Sequence, residues 1–266
     1  MTRLAVIGAG VMGETLISGL LRAGWAADAI TAADRHAPRL AEMESRHGIH
    51  TAATQDAAAG ADTVVIVVKP QDAGEVLPLV GAAIRPGTLV VSLCAGLSTH
   101  QIEAAMPDGT AVVRVMPNTP AQVDEGMAAI SAGASATAAH LAHVTELLSA
   151  VGKVVTVPEK YQDAVTAISG SGPAYLFFVV EAMIDAGVML GLPRDISTTL
   201  VVQTMYGSAK LLADSGEHPT VLRERVTSPG GTTAAALREL EDHRVKAAFM
   251  TAMEAARDRS RALASS

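Results

Sequence analysis

The earliest residues with a chemical spacing are Gly8, Ala9, Gly10, Val11, Met12 and Gly13, which form G-x-G-x-x-G. Before them runs a short apolar stretch from Arg3 to Ile7; after them Met12, Leu16, Leu20 and Leu21 keep helical spacing. A strand turning through Gly8 into a helix offers the unpaired N–H groups of the helix start to an anion. Gly10 lets that anion approach the backbone, and Gly13 lets helix and strand pack closely. The anion that fits such a turn is the pyrophosphate of a dinucleotide. Asp34 follows about 20 residues later, where a carboxylate accepts from ribose hydroxyls and favours NAD, whereas the adjacent Arg35 stacks on adenine or pairs with a 2'-phosphate and admits NADP. A solvated Asp–Arg loop pair is the third reading of these two residues.

Further candidates sit where other apolar runs end. Val67-Val68-Lys69-Pro70 closes the strongest of them, and Lys69 is either a wall of the nucleotide cleft or a surface lysine in a proline turn. Ser92-Leu93-Cys94-Ala95-Gly96 closes another with small residues that let a nicotinamide or its ribose come near. Cys94 has no basic neighbour in sequence to activate a thiolate and reads as packing. Near the end of the chain, Thr227-Ser228-Pro229-Gly230-Gly231-Thr232-Thr233 precedes a helical pattern, which makes it a receptor for a carboxylate or an ordinary helix cap. Ser169-Gly170-Ser171-Gly172-Pro173-Ala174-Tyr175 is a second hydroxyl and glycine cluster, expected to break one helix and start another. Its Tyr175 is a proton donor or a packing residue. The eight histidines show no metal-ligand spacing, and the close pair His47 and His50 reads as surface.

Strands are expected at 3–7, 29–33, 63–68, 89–93 and 111–115, with helices at 38–47, 71–83 and 98–105 between them. That alternation implies an α/β fold with a doubly wound parallel sheet. The run at 63–68 has no polar interruption after Thr63, as expected for a sheet covered on both faces. From about residue 158 the spacing is helical throughout, so the reading is a dinucleotide-binding domain at 1–157 and an all-α domain at 158–266. Phe177, Phe178, Val179, Val180, Met183, Val188, Met189 and Leu190 give the helical part more apolar surface than it buries alone, which implies dimerisation.

Composition narrows the classes. With 266 residues, 49% hydrophobic, 18% charged and a net charge of -7, the chain has material for a core and no electrostatic footprint for nucleic acid. A single cysteine makes no internal disulfide and fits a reducing, cytoplasmic setting. Glycines and Glu14 interrupt the apolar N-terminus, against a signal peptide. The stretch 174–192 is long enough for a bilayer but holds Glu181 and Asp185, each costing ~3 kcal/mol at its centre. It reads as a buried helix at a domain or subunit interface, so neither nucleic acid nor a membrane is expected as a partner.

GAGVMG at 8–13, VKP at 68–70, SLCAG at 92–96, RVMPNTP at 114–120, SGSGPAY at 169–175, GEHP at 216–219 and SPGGTT at 228–233 occur in this order. Together they resemble the pyrroline-5-carboxylate reductase family over nearly the whole chain. The resemblance implies a Rossmann domain and a helical domain that interlocks two chains, often built further into a ring of dimers. It implies reduction of 1-pyrroline-5-carboxylate to L-proline with NADPH or NADH, the last step of proline biosynthesis. Ile7 to Gly13, Asp34, Arg35, Val67 to Pro70, Cys94 to Gly96 and Asn118 would face the nucleotide. Ser228, Gly230, Gly231 and Thr232 would hold the substrate carboxylate, Thr233 would contact the ring nitrogen as the catalytic residue, and Glu159 would add a substrate-side carboxylate. The loop at 228–233 acts within its own chain or on the partner's site. Asp34 departs from the smaller or uncharged residue expected of members that prefer NADP. No metal is implied. Two other classes share part of the pattern: a β-hydroxyacid or imine dehydrogenase, which would need a lysine soon after the domain junction where none stands before Lys210, and a nucleotide-sensing regulator, which would lack SPGGTT.

Overall fold

The computed structural model describes residues 2–264. The chain divides into two compact units, Met1–Ser171 with Ala256–Ser266, and Gly172–Ala255. The sequence-based change at 157/158 falls just after the last strand, and the boundary between compact units lies further on.

The first unit is built on eight strands: β1 (Leu4–Ile7), β2 (Ile30–Ala33), β3 (His50–Thr51), β4 (Thr63–Ile66), β5 (Leu89–Ser92), β6 (Ala111–Met116), β7 (Gly126–Ala132) and β8 (Gly152–Thr156). Their order is β3-β2-β1-β4-β5-β6-β7-β8. All pairs are parallel except β6 with β7. The helices are α1 (Val11–Arg22), α2 (Ala37–His47), α3 (Thr54–Gly60), α4 (Pro70–Ala83), α5 (Thr99–Glu103), α6 (Ala138–Ser149) and α7 (Gln162–Val165).

Period-two alternation sorts the core into two layers. Leu4, Val6, Val65, Val91 and Val113 meet Leu16, Ile17 and Leu20 of α1, Met43 of α2 and Val144 and Leu147 of α6 on one face. Ala5, Ile7, Val64, Ile66, Val90 and Val112 meet Ala57 and Ala58 of α3, Ala73, Leu77 and Val80 of α4 and Ile102 of α5 on the other. Both faces being covered explains why the strands are continuous apolar runs. The chain runs from β1 to β2 on one side and from β1's other neighbour β4 to β5 away from it, so a crevice opens at the carboxyl ends of β1 and β4.

The sheet departs from the expected all-parallel form at β7, whose Gly-Met-Ala-Ala-Ile-Ser-Ala sequence lacks the β-branched density that marks a strand. Where the glycine and serine cluster suggested a helix break, Thr166–Gly170 is one turn of π-helix. Such turns keep a helix running while adding a residue to it.

The second unit holds α8 (Gly172–Met189), α9 (Arg194–Ser215), α10 (Pro219–Arg225), α11 (Thr232–Asp242) and the start of α12 (Val245–Ala264). α8 and α9 touch where Ser197 Oγ donates to the Ile184 carbonyl at 2.9 Å. Among the described residues of this unit only Pro173, Ser197 and Val201 are buried. The apolar helix, expected to be buried at a domain or subunit interface, is exposed in the single chain: Phe177 is 67% and Phe178 72% accessible.

Candidate active site

Steric necessity accounts for two glycines of the first turn. Gly8 has φ +108°, and a Cβ there would lie 2.5 Å from the Val67 carbonyl oxygen. A Cβ on Gly13 would fall 2.0 Å from the Gly8 carbonyl. Gly10 is different, with open space within 4 Å of its Cβ position. It is the N-cap of α1 with no side-chain bond to the first turn, and Val11 beside it is exposed. The first-turn N–H groups of α1 thus meet no capping side chain, which is the arrangement that receives a phosphate.

Ile7, Gly8, Gly10, Asp34, Arg35, Val67, Val68 and Lys69 share one open cleft, of about 930 Å³ including its solvent-open part, with Thr54, Asp72 and Glu75. The structure thus brings together the fingerprint and two other strand ends. Asp34 turns inward: Oδ2 accepts from Ala9 N at 2.8 Å and Oδ1 from His36 N at 2.9 Å. Arg35 is exposed and pairs with Asp72 at 3.1 Å. Lys69, the N-cap of α4, has no ion-pair partner among the described residues. Ala9 is fully buried beneath the turn, and Pro70 starts α4.

The remaining nucleotide-side candidates lie apart from that cleft. Cys94 is buried and its thiol donates to the Val68 carbonyl at 3.3 Å. Burial pushes its pKa up, which agrees with packing rather than reactivity. Ala95 and Gly96 form the bend after β5. Met12 and Asn118 line a separate, largely apolar cavity with Leu16, Leu93 and Pro117. Asn118 is spent as a bracket, its Nδ2 donating to Ser169 O at 3.2 Å and its Oδ1 accepting from Met127 N at 2.8 Å.

At 228–233 the chain makes a second helix start on an uncapped glycine. Gly230 has φ +70°, Gly231 N donates to Ser228 O at 3.0 Å, and Gly231 is the N-cap of α11 without a side-chain bond. Thr232 is exposed and Thr233 half-buried in the first turn. Tyr175, on α8, has a buried hydroxyl with no hydrogen-bond partner among the described residues.

Glu159 is committed within the first unit. Its Oε1 accepts from Thr99 N at 2.7 Å and from Arg114 Nη1 at 3.1 Å, and its Oε2 accepts from Thr99 Oγ1 at 2.6 Å. Burial would raise its pKa, but the bonds from Thr99 and Arg114 outweigh that and hold it below the usual range.

A family model described as pyrroline-5-carboxylate reductase dimerisation matches residues 159–263, and one described as NADP oxidoreductase coenzyme F420-dependent matches 3–96. A pyrroline-5-carboxylate reductase of Corynebacterium melassecola is 44% identical over 99% of both chains. The chain belongs to the pyrroline-5-carboxylate reductase family. Among solved structures, the Coxiella burnetii member superposes with a TM-score of 0.94 at 32% identity over 98% of each chain. The Plasmodium falciparum member, determined with NADP bound, gives 0.88 at 31% over 99% of this chain and 98% of that one.

Several residues at the nucleotide turn carry no sequence signal. Arg39 bonds Ala9 O through Nε at 2.7 Å, Glu42 at 2.6 Å and Glu14. Arg46 and His47 reach Glu14 Oε1 at 2.7 and 3.0 Å. His47 is thus a largely buried partner of Glu14, correcting the surface reading. No motif marks these residues, because α2 brings them to α1 only in three dimensions. Burial alone would raise the Glu14 pKa; the bonds from His47, Arg39 and Arg46 prevail and set it at about 2.

Two outcomes follow. A depressed folded-state pKa gives stability that is present above the unfolded value, 4.5, and lost as pH falls towards about 2. The urea midpoint should therefore fall with acidification through that window, and Glu14→Gln should flatten the fall; an unaltered slope contradicts the assignment. Glu159→Ala leaves Arg114 without its carboxylate and should cost roughly 3 kcal/mol in urea unfolding, whereas a loss under ~0.5 kcal/mol would mean that Arg114 rehydrates freely.

Proposed function

We propose that this chain reduces the C=N bond of 1-pyrroline-5-carboxylate to L-proline, the last step of proline biosynthesis, with NADPH or NADH as reductant. One observation carries the reading: the likeness to the Corynebacterium reductase spans 99% of both chains, so it includes the turn at 8–13 and the loop at 228–233.

The nucleotide turn fits its ligand, since Gly8 and Gly13 are forced by contact while Gly10 leaves open space at the uncapped start of α1. Val11 and Met12 N–H groups would hold the pyrophosphate, with Arg35 and Lys69 lining the same cleft as the turn. When bound, the dihydronicotinamide supplies the hydride. At the second helix start, the amides of Gly230 to Thr233 and the Ser228 hydroxyl hold the substrate carboxylate, and the Thr233 hydroxyl hydrogen-bonds the ring nitrogen. A protonated cyclic imine is already electrophilic, so these residues need only orient it and keep its proton in place. That matches a site without a general base: α8 contains no lysine, which disfavours the β-hydroxyacid dehydrogenase alternative. Glu159 bonds Thr99 at the start of α5 and Arg114 on β6.

The chain works as a homo-oligomer. A match to a dimerisation model over 159–263 and a helical unit with three buried residues support it; our finer reading is a homodimer assembled into a ring of dimers. Cys94, kept as a buried thiol, suits a cytoplasmic setting.

Thr233→Ala should lower kcat/KM for pyrroline-5-carboxylate about tenfold, the worth of one hydrogen bond to a charged group, with nucleotide dissociation constants unchanged in a fluorescence titration. An unchanged kcat/KM removes the role. Light scattering at micromolar concentration should give a multiple of 27.2 kDa, and a monomer would refute the oligomer.

A further inference from the structure

The backbone of Ala9 is gripped from both sides. Its N–H donates to Asp34 Oδ2 at 2.8 Å, and its carbonyl accepts from Arg39 Nε at 2.7 Å. Arg39 is itself oriented, since its two terminal nitrogens bond Glu14 and Glu42. Asp34 has its second oxygen on His36 N. A carboxylate used in this way holds the turn, while the lone pairs it has left stay on the open cleft that Asp34 lines.

Glu14 raises a separate problem. It stands in the first turn of α1, the same turn whose N–H groups would receive the pyrophosphate. A carboxylate there is favoured by the helix dipole but repels an anionic ligand at close range. Three groups from α2 surround it: Arg39, Arg46 and His47. Glu42 takes one bond from each arginine, so the two carboxylates and two guanidinium groups balance in formal charge.

We propose that Asp34 and Arg39 are positioning residues that clamp Ala9 so the glycine turn aims its N–H groups at the nucleotide, and that Arg39 and Arg46 cancel the Glu14 charge at that turn. The clamp rests on the nucleotide reading of 8–13. It acts on the part of the ligand common to NADPH and NADH, so it supplies affinity without choosing between them.

Nucleotide titrations by NAD(P)H fluorescence, without substrate, test the clamp separately from the proposed reaction. A wild-type protein binding neither nucleotide would sink the site reading itself. If it binds, Arg39→Ala should raise both dissociation constants about tenfold, as expected for a charge at a partly buried helix end, with their ratio unchanged. Adding Glu14→Gln should restore at least half of that loss on a logarithmic scale, which a purely structural role for Arg39 would not produce. Arg39→Lys keeps the cation but loses the Nε bond and should weaken both nucleotides several-fold; it also reads the clamp if the alanine variant fails to fold. Asp34→Asn should weaken both. The proposal is overturned by arginine variants that bind within twofold of wild type, by failure of Glu14→Gln to restore binding, or by an Asp34→Asn variant that binds both nucleotides within twofold of wild type.

Discussion

A helix that begins without a side-chain cap leaves its first N–H groups needing an acceptor, and this chain arranges two such beginnings around glycine. Gly10 opens α1 and Gly231 opens α11, neither with a side chain able to bond the first turn. By contrast, α5 and α6 are closed by capping boxes at Ser98 and Thr137. Where Ser and Thr supply their own oxygen, no ligand is needed. Where glycine stands instead, the missing acceptor is free to be a phosphate or a carboxylate. The chemistry proposed here asks the protein for little beyond that, since the reductant brings its own electrons and a protonated imine its own electrophilicity.

Holding the first of these turns open falls to the sheet. Parallel pairing of β1 with both β2 and β4 puts Gly8, Asp34 and Val67 side by side at three adjacent strand ends. Gly8 N donates to Ala33 O and Val67 N to Ile7 O, each at 2.8 Å, so hydrogen bonding continues one residue past the strands into the ligand-facing loops. Close approach is then unavoidable, and it is the reason a side chain fits at neither Gly8 nor Gly13. A β-carbon at either position would push apart the backbone that shapes the cleft.

What was legible in the sequence follows the same physics. Uninterrupted apolar runs, such as that at 63–68 after Thr63, announce strands covered on both faces, and a glycine triplet after such a run announces the turn. β3, with two residues, and β8, largely exposed, bury too little to leave a pattern. β7 is built mainly from small residues, and its antiparallel direction is a property of its neighbours rather than of its own composition. Charges were harder still. Asp34 sits where a ribose-binding carboxylate belongs, and each of its oxygens also accepts from a backbone amide of its own chain, which no spacing announces. That Glu159 is held by Thr99 and Arg114, and that Asn118 reaches Ser169 across 51 positions, is visible only once the chain is folded.

The helical unit shows why assembly and catalysis are coupled on this reading. Pro173, Ser197 and Val201 do not make a core, while Phe177, Phe178, Met189 and Leu190 stand in solvent in the single chain. Each such side chain contributes about 1.5–3 kcal/mol once covered, so the unit's stability must come largely from what covers it. The loop at 228–233 belongs to this unit. Its amides can hold a carboxylate only if the start of α11 is ordered, and that order is inherited from the packing of the helices around it. On the proposed function, a second copy of the chain that covered the apolar face would do more than enlarge the molecule: it would stabilise the helices from which the loop at 228–233 is hung.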